Sequence, residues 1–203
     1  MSVFNSSMTY IVCSFGGSGS YMLMKYLKNF GNVVQIHDRN PPMKLTIPGC
    51  EENKFWFSNI EIDESQLQNY KVIYLYRNPI YAIYSRFIHG PHQNIHKNHM
   101  NNIKAEHYHV CRILEYKTDL YKLGEFFDNY TIPKSNRNYP IYCVNYDKFW
   151  DNIDLFNKVM ELPDIKEFYP ERKETEHEHA YDLTDVYANL NAKMNNLDAT
   201  CKM

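Results

Sequence analysis

The sequence lacks any run of roughly 18 apolar residues, so no segment of it is long enough to cross a bilayer as a helix. It also lacks a basic excess: 22 Lys and Arg stand against 24 Asp and Glu, a formal charge of −2. A chain that lives by neutralising phosphodiester backbones carries a clear positive balance, so nucleic acid is disfavoured as the main partner. No CxxC pair occurs, and the five cysteines (Cys13, Cys50, Cys111, Cys143 and Cys201) are odd in number and widely spaced. That argues against a disulfide framework and for a reducing compartment. The N-terminus has no basic stretch before its short apolar run, so a secretory signal is not expected and the expected location is cytoplasmic. Two phosphate signatures are missing as well: there is no GxxxxGK[ST] and no GxGxxG.

Ordinary globular chemistry is present. Hydrophobic residues make up 44% and charged residues 23% of 203 positions, enough for one domain with a real core and too few for two. We read residues 1–203 as one unit, with a core over about 9–175 and a polar tail over 176–203. Thr9 to Ser14 reads as a buried strand, followed by Phe15-Gly16-Gly17-Ser18-Gly19-Ser20. Then comes YMLMKYLKNF with apolar residues at helical spacing, Gly31 as its expected cap, and a second strand over Asn32 to Ile36. Strand, glycine turn, helix and strand form a βαβ unit, which implies a parallel sheet. Lys71 to Tyr76 is the best strand in the chain, and Asn78-Pro79 is a helix start. Further helices are expected over 105–128, 147–162 and 182–195, and another strand over 139–144. The fold expected is a three-layer α/β domain with a mostly parallel sheet of about four or five strands.

Two strand-to-helix corners carry the chemistry. In the first, Gly16, Gly17 and Gly19 let the backbone turn tightly, and the helix beginning at Ser20 offers unpaired amides and a positive dipole end. Such a corner suits a phosphate; the plainer reading is a flexible turn of small residues. In the second corner Arg77 ends a strand, and Ser85 and Arg86 lie two helical turns on. A guanidinium and a hydroxyl there suit a second phosphate, whereas an isolated Arg would more often pair with a carboxylate.

Together the two corners resemble those of the sulfotransferases that use 3′-phosphoadenosine 5′-phosphosulfate (PAPS). The resemblance rests on Gly16 to Ser20, on Tyr76-Arg77-Asn78-Pro79 with Ser85, and on the strand-helix and basic tail of YCVNYDKFWDNIDLFNKVMELPDIKEFYPERKE, and it spans most of 9–175. It implies a P-loop-like sulfotransferase fold and transfer of a sulfuryl group from PAPS to a hydroxyl or amine on a small molecule or glycan. No metal is required. The amides of Gly16 to Ser20, with the Ser18 and Ser20 hydroxyls, would hold the 5′-phosphosulfate. Arg77 and Ser85 would hold the 3′-phosphate, and Arg172 or Lys173 would return to the nucleotide. The sequence departs from the family at Gly17, where many members carry a Lys or Arg that stabilises charge on the leaving oxygen. Losing that cation costs rate, and Lys25 or a basic residue from elsewhere would have to replace it.

Sulfuryl transfer needs a base. His37 follows the second strand at the same sheet edge as the two corners, with Asp38 to orient its ring and Arg39 to meet an anionic substrate. Asn59 stands where other members carry a His, and Glu61 is a second candidate. His89, His92, His96 and His99, followed by His107 and His109, read as a polar segment rather than a metal site. Two other functions are compatible with the same residues: a nucleotide-binding module of this fold without turnover, and a small-molecule kinase.

Overall fold

Alternation along each strand decides which way its side chains face, and three strands of this chain carry apolar residues on both sides. A sheet built from them must be covered above and below. The computed structural model describes residues 8–47, 56, 60–88, 109–171 and 181–203. It holds a five-stranded sheet of order β2-β1-β3-β4-β5. These strands are β1 (Thr9–Cys13), β2 (Asn32–Ile36), β3 (Tyr70–Tyr76), β4 (Ile141–Asn145) and β5 (Thr200–Lys202). The first four are parallel, and β5 runs antiparallel to β4.

Ile11, Cys13, Val72, Tyr74, Tyr76, Ile141 and Cys143 face one side. They pack against α2 (Pro79–Ile83), α3 (Cys111–Tyr116), α4 (Leu123–Thr131) and α7 (Thr184–Asn195). Tyr10, Val12, Ile73, Leu75, Tyr142 and Val144 face the other side, covered by α1 (Ser20–Leu27), the short α5 (Tyr146–Phe149) and α6 (Ile153–Met160). The architecture is α/β, with helices on both faces of a mostly parallel sheet.

Several elements differ from expectation. The stretch expected to be one helix over 105–128 is, where described, α3 and α4 with a break between them. Lys117 (φ 48°) and Lys122 (φ 56°) take left-handed backbone, and the Asp119 carboxylate accepts from the Gly124 amide at 2.8 Å and the Tyr187 hydroxyl at 2.9 Å. These bonds give Asp119 more than a helical position would, so the helix stops and restarts. The 147–162 helix is likewise divided, by a 3₁₀ turn at Trp150–Asn152. Gly31 does not cap α1, which ends at Leu27. A Cβ at Gly31 would lie 2.4 Å from the Met8 carbonyl oxygen, so close approach of two backbones is the reason for glycine there. Strand β5 was not anticipated; it is three residues long and exists through its pairing with β4.

Strand order reverses between β1 and β3, which are neighbours although β2 intervenes in sequence. In open parallel sheets ligands bind at the carboxyl edge of such a reversal. Both candidate corners lie there.

Candidate functional site

The first corner is a left-handed glycine turn. Gly16, Gly17 and Gly19 have φ of 99°, 68° and 82°, which L residues with side chains rarely adopt. Gly19 is the N-cap of α1, and its carbonyl accepts from Met22 (3.1 Å) and Leu23 (3.3 Å). No side chain caps this helix and no acidic residue stands in its first turn. Among the described residues its positive end is therefore uncompensated. The two serine hydroxyls turn inward: Ser18 is 1% exposed with its Oγ 3.4 Å from the Gly16 carbonyl, and Ser20 accepts from Gln35 Nε2 at 2.8 Å.

The second corner meets the first. Arg77, just past β3, donates from Nη1 to the Gly17 carbonyl at 3.4 Å. Its guanidinium packs against the rings of Tyr81 and Tyr146, 5.4 and 4.9 Å from their centroids. It also faces Asp147, with Nη2 3.6 Å from Oδ1. The other oxygen of that carboxylate accepts from the Asn78 amide at 2.8 Å. Asn78 caps α2 by accepting from Ile80 N at 2.9 Å, with Pro79 in the first turn.

Helix α2 then widens into a π turn over Tyr84–Ile88, which carries both Ser85 and Arg86. Ser85 is half-buried. Arg86 is 5% exposed and passes under the glycine turn, donating from Nη1 to the Phe15 carbonyl and lying over the rings of Phe15 and Phe87. Among the described residues no carboxylate pairs with it, and burial pushes its guanidinium down to about 10.

His37 follows β2 and Ser14 follows β1, so neighbouring strand ends bring them together. His37 is 7% exposed, and its Nδ1 lies 2.7 Å from the Ser14 carbonyl oxygen. A carbonyl only accepts, so Nδ1 carries the proton and Nε2 is the basic nitrogen of the neutral ring. The ring is thus oriented by a carbonyl. The Asp38 carboxylate accepts instead from the Asn40 amide at 2.9 Å and from the Trp56 backbone, and burial raises its pKa. Arg39 is buried against Glu125, 3.2 Å from its carboxylate, which places it in an ion pair rather than before a substrate. Glu61 pairs with Lys44 at 3.0 Å on the exposed Thr46–Glu61 bridge.

A groove of about 610 Å³ runs along α1. Tyr21, Met22, Lys25 and Tyr26 line one wall, with Phe168 and Tyr169 on the other. Lys25 therefore belongs to this groove. Arg172 and Lys173 lie outside the described residues, directly after Glu171, which also lines it. His89, His92, His96, His99 and His107 are outside the described residues too. His109 is described and exposed, beside Cys111.

Sequence reasoning missed Tyr146 and Asp147, and it set Arg86 beside Ser85 without seeing its burial. The first two follow β4 in a third strand-to-helix corner. There Asn145 caps α5, its side chain accepting from Asp147 N (3.0 Å) and Lys148 N (3.4 Å). The Asn145-Tyr146-Asp147 run carried the same cap signal as Asn78-Pro79. No family model, curated protein or solved structure matches the chain.

Proposed function

We propose that the chain is a sulfotransferase of the P-loop-like fold, moving a sulfuryl group from PAPS to a hydroxyl or amine of a small-molecule or glycan acceptor. The observation that carries this reading is the meeting of two anion-suited corners at the reversal of strand order, where Arg77 touches the Gly17 carbonyl. A doubly phosphorylated nucleotide has its phosphates on opposite sides of one ribose, and two adjoining corners suit that spacing. Two buried polar atoms at the first corner have no hydrogen-bond partner among the described residues, Ser14 Oγ and Arg86 Nε. Such atoms are the kind a bound oxyanion satisfies.

In this reading the turn amides and the end of α1 receive the 5′-phosphosulfate, and Arg77 with Ser85 receives the 3′-phosphate. The Ser18 and Ser20 hydroxyls are engaged internally and shape the turn. The aromatic groove beside Tyr21 and Met22 suits a purine, which stacks on such rings. PAPS supplies a sulfuryl group on a good leaving phosphate. His37 Nε2 takes the proton of the attacking hydroxyl or amine while the Ser14 carbonyl holds the ring in place.

Isothermal titration with 3′,5′-adenosine bisphosphate tests the reading. Binding by the wild type, weakened tenfold or more in Arg77→Ala, is the expected result, since a charged hydrogen bond is worth roughly 1.5–3 kcal/mol. Absence of binding, or equal binding by the variant, removes its support. A second reading, a binding module without turnover, draws on the Gly17 position: a Cβ there would lie 2.4 Å from the Ala82 carbonyl oxygen, so a side chain at that position cannot supply a cation. Bisphosphate binding without transfer to any of a panel of alcohols, phenols and amines would favour it.

A further inference from the structure

The glycine turn and Arg86 occupy each other's space. A Cβ at Gly16 would lie 1.9 Å from Arg86 Nη1, and one at Gly17 would lie 3.2 Å from the Arg86 Cβ. The guanidinium thus passes the turn at Gly16 and the Arg86 Cβ passes it at Gly17. The π turn at Tyr84–Ile88 sets this up, because its wider spacing shifts the side chains that follow from their ordinary helical register. Arg86 ends up buried against the Phe15 and Phe87 rings, where desolvation acts against its charge.

A buried guanidinium normally has a carboxylate beside it. This one has none among the described residues, and its Nε has no hydrogen-bond partner. What adjoins it is a turn of left-handed glycines leading into an uncapped helix start, itself electropositive. Both features favour an anion at the same place, and among the described residues no carboxylate compensates either.

We propose that Arg86, reaching the glycine turn from the second corner, is the counter-charge for the oxyanion held there, and that this anion is the 5′-side phosphosulfate. The proposal rests on the sulfotransferase reading for the identity of the ligand, but only on the turn and Arg86 for the presence of an anion. It relocates to the π turn the positive charge that Gly17 cannot carry. During transfer the acceptor oxygen or nitrogen forms its bond to sulfur as the bond from sulfur to the bridging oxygen breaks. The electron pair of that bond stays on the 5′-phosphate, whose added negative charge faces Arg86, and the acceptor proton passes to His37.

Calorimetry with 3′,5′-adenosine bisphosphate, 3′-AMP and inorganic pyrophosphate, on wild type, Arg86→Gln, Arg86→Met and Arg86→Lys, tests this. Glutamine keeps a polar N–H of shorter reach and removes the charge. Arg86→Gln should bind the bisphosphate and pyrophosphate roughly 10- to 100-fold more weakly, and 3′-AMP within about twofold of wild type. Arg86→Lys should recover most of the loss. Arg86→Met should melt at or above the wild-type temperature without ligand, because it removes a buried unpaired charge. Equal weakening of 3′-AMP, undiminished binding of pyrophosphate by Arg86→Gln, or a melting temperature of Arg86→Met more than about 5 °C below wild type would make Arg86 structural and overturn the proposal. Wild-type binding of pyrophosphate without binding of the bisphosphate would sink the sulfotransferase reading and leave Arg86 standing.

Discussion

Arg77 and Gly17 stand 60 positions apart in the chain and meet at 3.4 Å, guanidinium to carbonyl. Through that contact the corner after β3 is joined to the corner after β1. The same guanidinium is shared with Asp147 at 3.6 Å, so the second corner already holds a negative group.

Asp147 should therefore compete with a phosphate for Arg77. The carboxylate is about one-third exposed and the pair is long, so the competition is modest, in the range of about 1 kcal/mol or less. Asp147→Asn keeps an acceptor for the Asn78 amide and removes the charge. It should tighten 3′,5′-adenosine bisphosphate binding by roughly two- to fivefold, read by titration; unchanged or weaker binding would mean Arg77 does not face the phosphate.

Placing a cation at Gly17 should fail. Gly17 has φ 68° and its Cβ would meet the Ala82 carbonyl oxygen at 2.4 Å, so Gly17→Lys or Gly17→Ala should lose about 1–3 kcal/mol in urea unfolding. Gly124 is the contrast. Its added Cβ would meet only Asp119 Oδ2, at 3.4 Å, and Gly124→Ala should lie within about 1 kcal/mol of wild type.

His37→Asn should lower the rate of sulfuryl transfer by roughly 10²- to 10⁴-fold. Its affinity for the bisphosphate should stay within a few-fold of wild type. Turnover with a panel of hydroxyl and amine acceptors, beside titration of the nucleotide, separates the two effects.

Alkaline pH should unfold the protein through its buried tyrosines. Burial pushes the Tyr10 and Tyr26 phenols up to about 12, and also raises Tyr74 and Tyr130 well above the ordinary phenol value. The folded chain therefore binds more protons than the unfolded chain above the ordinary phenol value near 10. Stability is intact below pH 10 and falls as pH rises towards 12 and beyond. Denaturant midpoints measured from pH 8 to 12 should decline over the upper half of that range, and a flat profile would contradict it.

Cys143 and Cys201 sit directly opposite each other on β4 and β5. The Cys143 thiol donates to the Tyr130 carbonyl at 3.7 Å; the facing Cys201 and burial raise the Cys143 pKa, the facing Cys143 lowers that of Cys201, and burial holds Cys13 well up. Iodoacetamide at pH 7–8 should label Cys201 ahead of Cys13 and Cys143, as mass spectrometry of the digest would show.

Local rules carried the sequence a long way. β-branched and aromatic runs mark β1, β3 and β4, three clustered glycines mark a turn that needs positive φ, and Asn78-Pro79 marks the start of α2. Each is a property of a few adjacent residues, so no knowledge of the rest of the chain is needed. The position of His37 at the sheet edge follows from β2 ending at Ile36. Other features depend on partners far away. Helix 105–128 breaks because Asp119 is held by Tyr187, 68 positions on, and β5 exists only because β4 accepts it. Arg39 goes to Glu125 instead of to a substrate. Arg86 reaches its Phe15 acceptor, 71 positions away in sequence, where one helical turn opens to π spacing, and no residue pattern announces that. Chain-local chemistry thus determined that a glycine-rich corner and an Arg-Asn-Pro corner exist. Packing across the sheet edge decided which charges stand around them, because an ion pair or a buried guanidinium is chosen by its surroundings in space and not by its neighbours in sequence.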